Sequence, residues 1–151
     1  MYKRQTGNSG KLFYYLRAGA FLKQKDIAFM DNLQVKGNQM FIVTDSNRKN
    51  NFGLLDYYRF FTNDKYAEGH VEHNFKGSVL GKIPLLNRLN FHLIAGAKTM
   101  FMANTKPHSE VSLGLENVGF GKWRFFRVDY IQSFHSGGEK AGVLLGIDLS
   151  F

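Results

Sequence analysis

Cysteine is absent from this chain of 151 residues, and only two prolines interrupt it. Without thiols there is no disulfide framework, no thiolate zinc ribbon or finger, and no cysteine nucleophile. No apolar run approaches the roughly 20 residues of a membrane-spanning helix, and the mean hydropathy is −0.28. A membrane-spanning barrel escapes that exclusion, because its strands send only every second residue into lipid. Acidic residues are also scarce, with 12 Asp+Glu against 20 Lys+Arg and a formal net charge of +8. What is present is an apolar, aromatic-rich composition: 44% hydrophobic and 15% aromatic, with 16 glycines. Such a chain is too apolar for disorder and has room for one domain around one core.

The basic balance invites a nucleic-acid reading, but the distribution of charge argues against it. Most lysines and arginines stand singly among aromatics, and the cluster Arg48-Lys49 with Asn47, Asn50 and Asn51 reads as a loop. Anionic lipid or lipopolysaccharide head groups are a natural partner for a basic rim. The first ten residues, Met1 to Gly10, form a polar segment without the apolar stretch and cleavage site of a secretory signal.

Helical spacing is nearly missing, and two-residue alternation runs through the chain. At the C-terminus, Val143, Leu145, Ile147, Leu149 and Phe151 share a face opposite Gly142, Leu144, Gly146, Asp148 and Ser150. Phe126, Val128, Tyr130 and Phe134 oppose Arg127, Asp129 and Ser133; Val111, Leu113 and Leu115 oppose Glu110, Ser112, Gly114 and Glu116. Phe91, Leu93, Ala95, Ala97 and Phe101 oppose Asn90, His92, Gly96 and Lys98, and the stretch from Leu12 to Leu22 repeats the theme around Arg17 and Gly19. Further strands are expected at Leu54–Phe61 and Tyr66–Phe75, joined by the turn residues Thr62 to Lys65, with a shorter one at Gln39–Thr44. The stretch Gly77–Leu86 is too apolar for a loop, while Pro84 bars an interior strand, so a short helix or interface segment is expected.

These patterns predict an all-β, antiparallel protein of about seven or eight strands. A soluble barrel would turn the apolar face inward, to bind a small apolar ligand. A transmembrane barrel inverts it, and three features favour inversion. Charges of both signs (Arg17, Lys98, Glu110, Glu116, Arg127, Asp129 and Asp148) fill the polar face, as a lumen of ion pairs would. Tyr14, Trp123, Tyr130, Phe134 and Phe151 stand where interface girdles are expected. Finally, the last alternating strand ends on an aromatic, so Val143, Leu145, Ile147, Leu149 and Phe151 read as a membrane-insertion signal. The expected organisation is a polar segment over 1–10 and barrel strands over 11–151.

Catalytic and metal chemistry finds thin support. Glu68, His70 and Glu72 share a strand face and are a weak divalent-metal candidate; carboxylates paired with Lys98, Arg127 or Arg17 are the plainer reading. Asp129 with His92 or His135 and a serine evokes a hydrolytic triad, but Ser133 and Ser136 lack a nucleophile-elbow context. Gly119 and Gly121 lead into a strand rather than a helix, so no dinucleotide site is implied. The interleave Lys122 to Arg127 reads as a girdle strand with snorkelling cations rather than a nucleic-acid platform.

The segments Tyr66–Gly77 and Lys82–Leu89, with Phe29-Met30-Asp31, Lys36-Gly37-Asn38, Leu54–Phe60 and Glu110–Asn117, resemble a Bacteroidota family of unknown function. Its members pair an N-terminal carboxypeptidase-regulatory-like domain with a C-terminal outer-membrane β-barrel. The resemblance covers nearly the whole chain and implies the C-terminal part of a larger barrel, although a stand-alone eight-strand barrel is dimensionally feasible. A fragment of that kind is expected to carry an open edge near Leu12–Leu22. More distantly, the order of elements is similar to surface-antigen barrels of assembly and secretion factors, which carry a long inward-folded loop. The matching stretch would be Asp31–Asn38, where the Arg-Gly-aromatic tip is missing, so no insertase role is implied. The resemblance implies a bacterial outer-membrane location and a structural, anchoring, pore or transport-associated role. Outer-membrane lipid, lipopolysaccharide, the barrel assembly machinery and further membrane or periplasmic proteins are the expected partners. No enzyme activity, cofactor, metal or nucleic acid is expected.

Overall fold

The computed structural model describes residues 2–5, 10–21, 33–38, 42–56, 61–62, 64–84, 88–103, 105–120, 123–135 and 138–147. Six long strands carry the architecture: β2 (Lys11–Gly19), β6 (Tyr66–Lys76), β7 (His92–Met102), β8 (Thr105–Phe120), β9 (Trp123–His135) and β10 (Gly138–Ile147). They pair antiparallel in the order β2-β6-β7-β8-β9-β10. β1 (Tyr2–Gln5) extends the sheet beyond β2, and β4 (Ile42–Thr44) lies parallel to β10 at the other edge. A separate ribbon pairs β3 (Leu33–Gln34) with β5 (Phe61–Thr62). Two short helices, α1 (Asp45–Asn50) and α2 (Gly77–Leu80), complete the described elements.

The fold is therefore all-β, and antiparallel across its six long strands, as the alternation predicts. It is not a closed barrel among the described residues, because β1 and β4 are edges rather than partners of each other. The expected open edge near Leu12–Leu22 is half covered: β1 pairs with Lys11 to Tyr14, and among the described residues Tyr15 to Gly19 have no partner strand on that side. The expected strand at Leu54–Phe61 does not form over 54–56, while β5 begins only at Phe61; residues 57–60 lie outside the described ones. Its failure has a tertiary cause. The amides of Gly53 and Leu54 are taken by the Glu110 side chain, and the Leu55 carbonyl accepts from the Asn38 amide, so no strand ladder can use them. The strand expected at Gln39–Thr44 is described as β4 alone, and Gly77–Leu86 does open with a short helix.

Register places the two chemical faces. Successive strand side chains alternate sides, and the pairs Arg17↔Glu68, His70↔Lys98, Lys98↔Glu110, Glu110↔Ser133 and Gly114↔Asp129 align the polar set across five strands. That face is covered by a strap made of α1 and residues 51–56. Phe52, Leu55, Val35, Met100 and Met102 form one buried cluster between strap and sheet, and Leu54 packs on Ile131 and Leu144 in a second. Among the described residues, nothing covers the opposite face. Leu16, Val71, Phe101, Val111, Leu113, Tyr130, Phe134, Val143 and Leu145 all stand exposed on it, Leu113 at 55%. Tyr130, expected near a strand end, sits in mid-strand across from Leu113 and Val143.

Candidate functional site

The covered face gathers buried charge around one guanidinium. Arg127, 2% exposed on β9, reaches Asp129 two residues on, with Nε 2.7 Å from Oδ2 and Nη2 2.7 Å from Oδ1. Residues i and i+2 share a strand face, so this pair follows directly from the local pattern. Its other edge crosses to β6, where Nη2 donates to Glu72 Oε2 at 2.9 Å, and Nη1 lies 3.9 Å from Glu116 Oε1 on β8. Room for the pair comes from the neighbouring strand: a Cβ on Gly114 would sit 2.0 Å from Asp129 Oδ1.

The strap supplies a second guanidinium. Arg48, in the last turn of α1, ion-pairs with Glu72 and stands 4.0 Å from Asp129. Two arginines thus meet three carboxylates, Glu72, Glu116 and Asp129. Glu116 also accepts from Asn74 and lies 3.6 Å from His92 Nδ1. Buried charges persist only where partners replace water, and here the strap provides one of them.

The remaining polar side chains clamp the strap by its backbone. Glu110, fully buried, accepts from the Gly53 amide at 2.6 Å and the Leu54 amide at 3.0 Å, and from His108 Nε2 at 3.0 Å. Lys98 donates through Nζ to the Arg48 and Asn51 carbonyls. His70 Nδ1 donates to the Lys49 carbonyl at 3.0 Å, its ring edge-on to Phe52 at 4.9 Å. Phe52 also meets the His108 ring at 5.3 Å, so one strap aromatic is held between two imidazoles. The Lys49 ammonium stands 4.3 Å over the Phe13 ring. A strap too short to make its own ladder has the Gly53 and Leu54 amides and the Arg48, Lys49 and Asn51 carbonyls satisfied by sheet side chains, while the Phe52 amide and Leu55 carbonyl pair with the backbone of Lys36 and Asn38.

The expected charge set is distributed as follows. Arg127, Asp129 and Glu116 meet in the first group, and Lys98 and Glu110 face each other beneath the strap. Arg17 stands apart with Glu68, Nη2 to Oε2 3.2 Å. Asp148 lies outside the described residues. Glu68, His70 and Glu72 do not converge: each takes a different partner, and no group of three or more His, Asp or Glu among the described residues is arranged to hold a metal. Asp129 is engaged by Arg127, and His92 approaches Glu116, so neither forms the imagined triad with a serine. Of the insertion signal, Val143 and Leu145 are exposed on the open face and Ile147 is half-buried; Leu149 and Phe151 lie outside the described residues.

Sequence reasoning missed Arg48 and the clamp. Arg48-Lys49 looks like a solvated loop because its neighbours are all asparagine or charge, and nothing local signals that the sheet ahead holds carboxylates for it. Glu72 was legible as a carboxylate seeking Arg127, but not as the residue shared between two arginines.

Comparison with known proteins adds one finding. A family model described as "Family of unknown function (DUF5686) C-terminal domain" matches residues 1–115, and thus not the β9–β10 hairpin. The comparison with curated proteins found no match, and neither did that with solved structures.

Proposed function

The chain belongs to the DUF5686 family, as its C-terminal domain, and from that premise we propose that it is part of a non-enzymatic outer-membrane β-barrel with an anchoring or transport-associated role. The observation that carries the reading is the inversion of the faces: ion pairs buried on one side of the sheet, aliphatic and aromatic side chains bare on the other. A soluble domain seldom leaves a contiguous apolar sheet face uncovered. Bilayer contact supplies a cover, because lipid chains are as apolar as the side chains. The strap, fastened on the polar side, makes the interior plugged rather than open. In this reading the chain completes a longer Bacteroidota polypeptide, whose earlier strands close the sheet between its β1 and β4 edges and whose carboxypeptidase-regulatory-like domain is anchored by it.

The test is fractionation of the protein expressed with an outer-membrane leader. The wild type should resist urea extraction from membranes and need detergent to stay in solution. Leu113→Lys should cost about 2–4 kcal/mol on the lipid face and shift the chain out of the membrane fraction, whereas Ser112→Leu, on the covered face, should not. A wild-type chain that is monodisperse without detergent sinks the proposal and returns the soluble, ligand-binding barrel.

A further inference from the structure

On the open face, at the end where β9 begins and β10 ends, the apolar surface deepens into a groove of about 620 Å³. Its floor is Phe126 and Val128 of β9 with Leu145 and Ile147 of β10, and its wall is Leu89 and Phe91 in the chain leading to β7. That volume falls within the roughly 300–1,000 Å³ of ordinary ligand clefts. The strand floor from Trp123 to Val128 spans about 17 Å, long enough for an extended alkyl chain to lie along it.

One cation stands in this apolar lining with its charge unmet. Arg124 donates from Nη1 to the Leu89 carbonyl at 3.0 Å, which fixes the guanidinium beside the wall. Its Nε is buried without a hydrogen-bond partner, and among the described residues no carboxylate approaches it. By contrast, Arg17 meets Glu68, Arg48 meets Glu72, and Arg127 meets Asp129. The terminal Nη groups of a planar guanidinium suit a phosphate oxyanion, which accepts parallel hydrogen bonds from them. The neighbouring Trp123, 73% exposed, is the residue type that sits at the level of lipid head groups.

We propose that this groove is a binding site for one phospholipid, with an acyl chain on the β9–β10 floor and the phosphate on Arg124. The proposal goes beyond a general lipid-facing surface, because it assigns a single molecule, a stoichiometry and a head-group selectivity. It also stands whether or not the chain spans a bilayer, since a groove of this shape would take an amphiphile from either phase.

The experiment is native mass spectrometry of the full chain in a non-ionic detergent, titrated with dioleoyl phosphatidylglycerol or with dioleoylglycerol, which lacks the phosphate. The wild type should saturate at one phosphatidylglycerol adduct and bind dioleoylglycerol about tenfold more weakly. Arg124→Gln should abolish that preference while keeping adducts with both lipids. Val118→Trp, which fills the groove beside Leu89, should lose both. Adducts that accumulate without a plateau, or a preference unchanged in Arg124→Gln, would overturn the site. If Val118→Trp fails to fold by circular dichroism, the head-group selectivity of Arg124→Gln decides alone. Membrane fractionation is read separately, so a chain that is soluble yet binds one lipid refutes the barrel and not the groove.

Discussion

Glu110→Ala removes the centre of the strap clamp, and its cost can be worked from the geometry. Two strap amides, Gly53 at 2.6 Å and Leu54 at 3.0 Å, lose their acceptor in one step, as does His108. A buried donor left unpaired costs about 1–3 kcal/mol, so the two amides together cost about 2–6 kcal/mol. Lys98, across from Glu110 in the register, keeps its strap carbonyls but loses its opposing carboxylate. At about 4 kcal/mol, with 1.4 kcal/mol per factor of ten, opening of the strap should become roughly a thousandfold more frequent. Because local opening need not unfold the sheet, hydrogen exchange read by mass spectrometry is the assay. Peptides across 48–56 should exchange about a thousandfold faster in the variant, while those across β7 and β8 stay protected. Ser112→Ala, on the same face without strap contacts through its side chain, should leave both sets unchanged. Strap peptides as protected as in the wild type would refute the clamp. Simultaneous loss in strap and strands would show that Glu110 holds the sheet rather than the strap.

Arg127→Lys should lower stability by about 2–4 kcal/mol, measured as a drop in the urea midpoint, because an ammonium cannot span Asp129 and Glu72 with one planar fork; a wild-type midpoint would mean that charge alone suffices. Gly53→Ala should cost about 1–3 kcal/mol, since the added Cβ would lie 2.3 Å from Ile131 Cδ1. Gly77→Ala, where a Cβ meets nothing within 4 Å, should change the same midpoint by less than about 0.5 kcal/mol. The reverse order of these two glycine variants would contradict the packing of the strap against β9 and β10.

Much of the sheet was legible before any coordinates, because strand periodicity is a local property. Alternation over 109–115, 126–134 and 142–147 assigns each residue to a face without knowledge of its neighbours, and the register aligns those faces as written; beyond Leu115 an irregularity in β8 shifts it. The pair Arg127 and Asp129 was legible for the same reason, being two residues apart on one strand. The strap was not. Phe52 to Leu55 is as apolar as a strand, and the decision against one is made by Glu110, more than 50 residues away in sequence.

What the sequence by itself determined is therefore the alternation of the long strands, which way most of their residues point, and that one sheet face is ionic while the other is apolar. Only the tertiary structure decided that 45–56 crosses the ionic face, that Arg48 shares Glu72 with Arg127, and that the weak metal candidates Glu68, His70 and Glu72 each take a different partner. The physical reason is reach. A dihedral preference is settled by a residue and its immediate neighbours, whereas desolvating a charge is tolerable only where a distant segment happens to deliver its counterpart.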